Sequence, residues 1–506
     1  MSAGVLALQI GAGIATYELI RYLVVRRIRT VVRTGAVQFV RRHRIQLESA
    51  RFIDRLWIRE ALAQDPRIEA AVARIARETD HSVVELHERV DAYVEEIAPF
   101  FSLSAYYRLG SVLAKRVIGF LFEMVVERGG FEEQVAAVPK KAVRVYVINH
   151  RANMDPLILA YGLLRHVPMS YAVGEWALVW PLHTLFRSFG SYFVRRGELD
   201  PLYHAVLERF IQLLAGQGAV TGFFIEGGLT RDGALRRPRT GLLDYIIGLR
   251  HDQPERDIAF MPVGLNYDRV FEDRILVRRG SGSAPAPTRA ERLENVISIL
   301  VSIPSLILAN LLRVATRSHR KFGYAAIEFG EPLLLSEWPG GSELHTLPDE
   351  PRRAALDALG EELLLRRVGA VIPATPVALL CEALRRGGDD DWGALRRRVQ
   401  QVIAELRAVG APLALGAAFQ GLLQPQPDDL PSIHEAFDAQ LAEADIAERI
   451  GSLASQLLLR RGVLRRVLTP TGDGVEIVAG FEDIVSYYAN SIRHHLAPAV
   501  EPSAGQ

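Results

Sequence analysis

The stretch VYVINHRANMDPLILAY, residues 145–161, contains a strand pattern, a turn and a helix start in close succession. The β-branched alternation over residues 143–148 is typical of a buried strand, whereas Asp155 as N-cap and Pro156 at the first helical position are typical of a helix start. The chain must therefore turn between His150 and Asp155. A strand that passes directly into a helix indicates an α/β fold.

Such a turn can bring the side chains of His150 and Asp155 together, which a continuous helix would not do at this spacing. A carboxylate against one imidazole nitrogen fixes the tautomer and leaves the other nitrogen able to take a proton. The two residues are therefore candidates for a general base and the group that orients it. The alternative, about equally compatible with this stretch alone, is that Asp155 only caps the helix and His150 is an ordinary loop residue.

Composition excludes several classes of protein. The chain has 506 residues and a net charge of +1, so roughly two or three domains are expected and a nucleic-acid-binding protein held by bulk electrostatics is not. Its single cysteine, Cys381, excludes an intrachain disulfide framework and fits a reducing compartment. No Cys and His spacing indicates zinc, so the sequence predicts no metal.

Hydrophobic periodicity predicts an α/β core flanked by helical regions. Residues 49–140 have helical spacing, residues 141–340 alternate strand and helix patterns, and residues 341–506 are again helical. Residues 1–48 form a separate segment that is apolar and then basic. The sequence therefore predicts four segments, of which the second to fourth are a helical domain, an α/β catalytic domain and a helical C-terminal domain.

Two segments are candidates for contact with a membrane. Residues 1–48 carry eight arginines from Arg21 to Arg44 with no acidic residue among them, which indicates attachment to an anionic leaflet. The uncharged run 295–312 approaches the length of a membrane span, but Pro304 favours a kinked helix or hairpin that enters one leaflet. The alternatives are a solvated helix face and a buried core helix, respectively. The expected location is the cytoplasmic face of the cell membrane.

Two further stretches place charged residues at strand ends. FGSYFVRRG, residues 189–197, ends in Arg195 and Arg196, whose guanidinium groups suit a phosphate, although a solvated strand end is the simpler explanation. VTGFFIEGGLTRDG, residues 220–233, carries Glu226 into a glycine turn, where backbone amides can approach a ligand closely. The alternative is a structural turn in which Glu226 pairs with a nearby arginine.

A fourth stretch, IAFMPVGLNYDRV at residues 258–270, places Pro262 within a strand-like run. Proline has no backbone N–H, so we expect the start of a strand, an edge or a bulge at this position. A bulge there would shape the wall of a pocket.

Taken in order, these four stretches resemble the motifs of the glycerol-3-phosphate acyltransferase family, which includes the dihydroxyacetone-phosphate acyltransferases. NHRANMDP is similar to H-x4-D, GSYFVRR to G-x-x-F-x-R-R, FIEGGLTRDG to F-x-E-G-G-R-S-R-x-G, and MPVGLNYDRV to a proline-containing strand followed by tyrosine. The resemblance extends from about residue 70 to residue 498. A lone H-x4-D motif is a weak signal, but four motifs in order are a specific one.

The resemblance implies a role for each motif residue. His150 would act as general base on an acceptor hydroxyl and Asp155 would orient it, so that the hydroxyl attacks a thioester directly without an acyl-enzyme. The implied substrate-binding residues are Arg195, Arg196, Glu226, Gly227, Gly228 and Arg231. The implied residues of the acyl pocket or motif structure are Gly190, Phe193 and Pro262. No cofactor is implied beyond acyl-CoA or an acylated carrier protein as co-substrate.

The predicted function is acylation of the sn-1 hydroxyl of glycerol 3-phosphate, the first step of phospholipid synthesis. The expected partners are a lipid surface, glycerol 3-phosphate, the acyl thioester and its carrier protein, with no nucleic acid. The chain departs from the third motif, since Leu229 and Thr230 stand where the family has arginine and serine. Dihydroxyacetone phosphate or lysophosphatidate as acceptor therefore remain alternatives, as does a lipid-binding scaffold that kept the fold without turnover.

Overall fold

The chain is described here by a computed structural model, which covers residues 55–97, 116, 118–126, 131–163, 169–174, 192–195, 200–217, 220–280, 321–387, 391–416, 419, 433–470 and 472–496. The segments 1–48 and 295–312, together with Gly190 and Arg196, lie outside these residues, so the membrane contacts proposed for the two segments stay predictions. Among the helices that the structure does describe, none combines the length and the apolar character needed to span a bilayer.

The helices and strands follow each other in an order typical of an α/β protein with a helical C-terminal region. The helices are α1 (Arg55–Ala63), α2 (Pro66–Glu78), α3 (Val83–Ile97), α4 (Phe131–Ala137), α5 (Asp155–Leu163), α6 (Pro201–Gly216), α7 (Gly241–Ile247), α8 (Asp273–Gly280), α9 (Asp349–Glu361), α10 (Pro376–Arg385), α11 (Trp392–Ala408), α12 (Ile433–Arg460) and α13 (Glu482–Leu496). The strands are β1 (Glu123–Val126), β2 (Val143–Ile148), β3 (Met169–Gly174), β4 (Tyr192–Val194), β5 (Val220–Phe224), β6 (Ile258–Tyr267), β7 (Tyr324–Phe329), β8 (Leu333–Leu334), β9 (Leu464–Thr469) and β10 (Gly472–Ile477). Shorter helical turns cover Gly119–Leu121, Gly248–His251, Leu335–Glu337, Leu344–Thr346 and Gly369–Val371, and a π-helical segment covers Glu362–Val368.

The chain divides into two compact units, one made of residues 1–112 and 173–206 and the other of residues 113–172 and 207–506. In the first unit, α2 begins after the N-cap Asp65, whose carboxylate accepts a hydrogen bond from the backbone N–H of Arg67 at 2.9 Å. Helices α2 and α3 pack against each other, and each buries one face at helical spacing. This part of the N-terminal region is therefore helical, as predicted. The division into four sequence segments stays a prediction.

The second unit is built on a mixed sheet with the strand order β1-β7-β6-β2-β5-β3, and β8 lies beside β6. Strand β2 is parallel to both of its neighbours, β5 and β6, whereas β7 and β8 are antiparallel to β6. Because β2 lies in the middle of the sheet, five of its six residues are buried, which explains why all of them except Arg144 are apolar. The predicted α/β class and mixed sheet are confirmed.

Two elements differ from the helical pattern predicted for their segments. Strand β1 lies within residues 49–140, and it pairs with β7 of the central sheet. Strands β9 and β10 form an antiparallel hairpin within residues 341–506. Both are short, and the hairpin turns between Thr469 and Gly472, within the stretch TPTGDG, whose Pro and Gly are a local signal that the helical pattern on either side of it obscured.

Pro262 occupies the middle of β6, so the predicted strand start is wrong; β6 also lies between β7 and β2, so the predicted edge strand is wrong, whereas the bulge stays a prediction. Strand β6 pairs with β8 before Pro262 and with β7 after it. The carbonyl of Pro262 accepts a hydrogen bond at 2.9 Å from the N–H of Gly330, which lies between β7 and β8 in the chain. A strand residue directs its N and its carbonyl to the same side. The missing N–H of Pro262 therefore faces the junction between β7 and β8, where no ladder bond is lost.

Candidate active site

His150 and Asp155 lie on the turn that joins β2 to α5, at the carboxyl end of the central strand. His150 Nδ1 is 2.8 Å from Asp155 Oδ2, and the two residues are 5% and 0% exposed. The imidazole ring stacks on Phe224 at the end of β5, with 4.1 Å between the ring centroids. The turn thus brings together the two side chains that the sequence singled out.

The Asp155 carboxylate also organises the backbone of the turn. Its Oδ2 accepts hydrogen bonds from the N–H groups of Arg151 and Ala152 at 2.7 and 3.0 Å. The N-cap prediction is therefore wrong in detail, because α5 begins at Asp155 itself and the carboxylate accepts from the preceding turn.

Tyr267, the last residue of β6, engages the other oxygen of Asp155. Its hydroxyl donates to Asp155 Oδ1 at 2.5 Å, and the side chain is buried. Burial and the neighbouring Asp155 raise the pKa of the Tyr267 hydroxyl well above its usual value, so this group remains a donor. With both oxygens engaged, Asp155 is fixed as the acceptor for a proton on Nδ1 of His150.

The remaining imidazole nitrogen is available for chemistry. Within the described part of the chain, Nε2 of His150 makes no hydrogen bond. When Nδ1 carries the proton, Nε2 holds a lone pair, which can take a proton from a substrate hydroxyl. The arrangement of tyrosine, aspartate and histidine can therefore support general-base catalysis.

Glu226 of the third motif holds backbone segments together. It is 2% exposed, and its Oε1 and Oε2 accept from the N–H groups of His150 at 2.8 Å and Arg236 at 2.9 Å. Burial raises the pKa of Glu226 to about 7, against the opposing effect of these hydrogen bonds and of the charges of Arg151 and Arg236. The sequence offered Glu226 as a substrate-binding residue or as the partner of a nearby arginine, whereas both of its oxygens accept from backbone amides.

The glycines of the third motif are required by its geometry. Gly227 has a φ of +62°, and a Cβ there would lie 2.7 Å from Cγ of Arg239. Gly233 has a φ of +86°, and a Cβ there would lie 1.8 Å from the carbonyl oxygen of Tyr487. The loop therefore packs tightly against α13. Gly228 is buried in the same loop.

The predicted phosphate-binding residues differ in their surroundings. Arg231 is exposed on the third-motif loop. Arg195 belongs to the first unit, where its Nε lies 2.8 Å from Glu96 Oε1 and its guanidinium lies over the ring of Tyr93. Phe193 is buried in that same unit. These contacts leave the phosphate roles as predictions.

Three residues near the dyad escaped sequence reasoning. Tyr267 was quoted only as the tyrosine of the fourth motif, and Glu272, which accepts from the N–H of Asn153 at 2.6 Å, was not singled out. Arg151 is buried with its guanidinium 5.2 Å from the centre of the Tyr487 ring. Position within a motif, or next to one in the case of Glu272, was the only signal available for these residues, since their partners lie far away in sequence.

The part of the chain that the structure describes contains no cluster of histidine, cysteine or acidic residues able to hold a metal ion. Cys381 is fully buried, and burial raises the pKa of its thiol far above the usual value. The thiol is therefore neither exposed nor activated as a nucleophile.

Comparison with known proteins supports the reading of the motifs. The acyltransferase family matches residues 132–266, which include the dyad and the third motif. The glycerol-3-phosphate acyltransferase of Xanthomonas campestris is 26% identical over 455 residues, which cover 87% of this chain and 45% of that protein. The enzyme of the same name from Aeromonas hydrophila is 30% identical over 54% of this chain and 31% of its own length. The chain spans less than half the length of these relatives.

A third relative of that name, from Ectopseudomonas mendocina, is 27% identical over 69% of this chain and 41% of its own length. The solved structure of a 1-acyl-sn-glycerophosphate acyltransferase from Thermotoga maritima is 12% identical in sequence and aligns with 62% of this chain and 97% of its own length. The TM-score of 0.28 is too low to establish a common fold. Residues 132–266 thus match the acyltransferase family, and most of the chain is similar in sequence to proteins named glycerol-3-phosphate acyltransferase, as the four motifs predicted.

Proposed function

We propose that this protein transfers a fatty acyl group from a thioester to the sn-1 hydroxyl of glycerol 3-phosphate. The observation that carries the proposal is the buried His150, held by Asp155 at 2.8 Å and leaving Nε2 without a partner among the described residues. The names of the related proteins supply the acceptor, since those proteins are glycerol-3-phosphate acyltransferases.

The proposed reaction proceeds in two stages. In the first, Nε2 of His150 takes the proton of the acceptor hydroxyl, and the oxygen attacks the thioester carbonyl carbon to form a tetrahedral oxyanion. In the second, the carbon–sulfur bond breaks and the imidazolium returns its proton to the leaving thiolate. The products are 1-acylglycerol 3-phosphate and the free thiol of coenzyme A or of an acyl carrier protein. Asp155 stabilises the imidazolium between the two stages.

The phosphate of the acceptor requires cationic partners. We assign it first to Arg231, which is exposed on the loop that follows Glu226. Leu229 stands where the family motif has arginine, so Arg231 carries more of this contact than it would in a chain with both. Arg195 and Arg196 remain proposed partners from the second motif.

The test is a thiol-release assay on membranes that contain the full chain. Acyl-CoA and an acylated carrier protein are offered in turn as donors, each with glycerol 3-phosphate, dihydroxyacetone phosphate or lysophosphatidate. We expect acceptor-dependent thiol release that is fastest with glycerol 3-phosphate and absent from the His150→Ala variant. Preference for lysophosphatidate or dihydroxyacetone phosphate would reassign the acceptor, and the absence of release with every acceptor would favour a binding protein without turnover.

We also propose that the protein acts at the cytoplasmic face of the membrane, through residues 1–48 and 295–312. The basic charge of the first segment and the apolar run of the second support this location. Removal of residues 1–48 should leave binding to membranes that resists high salt but not detergent. A full-length protein that stays in solution without detergent would reject the proposal.

A further inference from the structure

The turn that carries the catalytic dyad has every backbone N–H from residue 150 to residue 153 bound to a carboxylate. The pairs are His150 N–H to Glu226 Oε1 at 2.8 Å, Arg151 N–H to Asp155 Oδ2 at 2.7 Å, Ala152 N–H to Asp155 Oδ2 at 3.0 Å, and Asn153 N–H to Glu272 Oε1 at 2.6 Å. The turn is therefore held more firmly than an ordinary loop.

The two outer carboxylates come from opposite sides of the turn. Glu226 follows β5 and Glu272 follows β6, and these two strands flank β2, whose end carries His150. Each side of the central strand thus supplies one carboxylate to one end of the turn. The middle of the turn is held by Asp155 from within.

The surroundings of these two carboxyl groups disfavour their ionised forms. Burial raises the pKa of Glu226 to about 7, and burial together with Asp155 and Asp273 raises the pKa of Glu272 to about 7. Glutamine or a small residue would avoid this free-energy cost. Acidic residues at such positions suggest a role in the function of the site.

We propose that Glu226 and Glu272 are positioning residues that clamp the two ends of the catalytic turn, so that His150 stays against Asp155 with Nε2 directed at the acceptor. The inference rests on the proposed acyl transfer, and it gives Glu226 a different role from the substrate contact implied by its motif. One consequence follows for the chemistry. With all four amides of the turn engaged by carboxylates, the oxyanion of the tetrahedral intermediate must be stabilised by other donors.

The experiment compares Glu272→Ala with Glu272→Gln in the full-length enzyme. Alanine removes the acceptor for the Asn153 N–H, whereas the glutamine carbonyl can still accept it. We expect Glu272→Ala to lower kcat by roughly 10- to 100-fold with KM for both substrates nearly unchanged, because a small displacement of the base is costly. Glu272→Gln should stay within roughly threefold of the wild type. Glu361, exposed at the end of α9, is the matched control for both changes.

Two further measurements separate the clamp from other roles. Glu226→Ala should lower kcat without a selective rise in KM for the acceptor, and the Glu226→Ala, Glu272→Ala double variant should lose less than the product of the single losses, because both act on one turn. Amide hydrogen exchange should be faster at residues 150–153 in Glu272→Ala than in the wild type. This last readout needs no turnover.

Several results would overturn the inference. Wild-type kcat in Glu272→Ala, equal damage from Ala and Gln, unchanged exchange in the turn, or independent losses in the double variant would each show that the clamp does not position His150. A selective rise of the acceptor KM in Glu226→Ala would return Glu226 to substrate binding. If the wild-type enzyme transfers no acyl group to any acceptor, the proposed function fails, while the exchange measurement still decides whether the clamp exists.

Discussion

Two buried aspartates of the second unit each accept a hydrogen bond from a tyrosine hydroxyl, but they differ in the basic residue that they also contact. Asp155 accepts a hydrogen bond from the hydroxyl of Tyr267 at 2.5 Å, and Asp273 accepts one from Tyr488 at 2.5 Å. Asp155 then faces His150, whereas Asp273 faces Arg461. An imidazole can gain and lose a proton near neutral pH and a guanidinium cannot. The second partner therefore decides whether an aspartate and tyrosine pair serves chemistry or structure.

The surroundings of the two aspartates follow the same division. Although burial lowers it, Tyr488 and Asp273 raise the pKa of Arg461 above its usual value, so this ion pair is permanent. Its groups are also satisfied from several sides, since the Tyr488 hydroxyl accepts from the N–H of Val270 at 3.0 Å and from Arg461 at 3.1 Å. We name the Asp273, Arg461 and Tyr488 group the structural triad. The dyad differs by leaving Nε2 of His150 unpaired among the described residues.

The largest expected effect is on catalysis, from His150→Ala. Loss of a positioned general base lowers kcat by roughly 10²- to 10⁴-fold. The variant should fold but melt at a lower temperature than the wild type, because the change removes a ring that stacks on Phe224 and a partner of the buried Asp155. Steady-state kinetics and thermal melting of the purified variant check both statements. Turnover at the wild-type rate would remove His150 from the mechanism.

Arg461→Met should show the opposite pattern. The substitution leaves Asp273 buried without its cation, which costs roughly 3 to 5 kcal/mol of stability when one partner of a buried pair is removed. The kcat of the molecules that remain folded should not change, because the structural triad does not contact the dyad. Denaturant unfolding combined with active-site titration measures the two quantities. A loss of kcat without a loss of stability would contradict the division between the two aspartates.

Glu272, beside the catalytic turn, should make the stability of the protein depend on pH. Burial and the charges of Asp155 and Asp273 raise the pKa of Glu272 from 4.5 to about 7, so the folded state binds this proton more tightly than the unfolded state. Stability from this group is fully present below pH 4.5 and is lost as pH rises through about 7. The glutamine of Glu272→Gln does not ionise. The free energy of unfolding of this variant, relative to that of the wild type, should therefore rise by up to about 3 kcal/mol as the pH is raised from 5 to 8.

Denaturant unfolding at both pH values checks this prediction, with Glu361→Gln as the exposed control. The control should show no such trend, since Glu361 is exposed and the glutamine adds no contact. A Glu272→Gln variant whose relative stability is the same at pH 5 and pH 8 would show that this carboxyl ionises normally.

Sequence reasoning identified the dyad because its two members lie on one short turn. The spacing of His150 and Asp155, the β-branched run before them and the proline after them are all local signals. The partners of the dyad are not local: Tyr267 lies 112 residues from Asp155, and Glu272 lies 119 residues from Asn153. Only the order of the strands in the sheet brings them together.

The same reason explains what was missed in the fold. The central strands were predicted because β2, β5 and β6 are mainly apolar and contain many β-branched or aromatic residues, as buried strands do. The junction that accommodates Pro262 was not, because it depends on which strands lie beside β6. The structural triad was also invisible, since Asp273 and Arg461 are 188 residues apart. Local chemistry was predictable and its long-range supports were not.

The smallest expected effect comes from the tyrosines, and it compares the two sites most directly. Tyr267→Phe and Tyr488→Phe each remove one hydroxyl that donates to a buried carboxylate, so each should cost roughly 1 to 3 kcal/mol of stability. Only Tyr267→Phe should also lower kcat, by about 10-fold, because a less firmly oriented Asp155 carboxylate holds His150 less well. A tenfold change corresponds to about 1.4 kcal/mol of activation free energy. Tyr488→Phe is the paired comparison, in which a hydroxyl is removed at an equal 2.5 Å contact; its loss of stability should be the larger, because that hydroxyl also accepts from Val270 and Arg461. Denaturant unfolding and kcat are measured on both variants. Equal effects on kcat would mean that the Tyr267 hydroxyl supports only the fold. A loss of kcat confined to Tyr267→Phe would show that this tyrosine of the fourth motif holds Asp155 for catalysis.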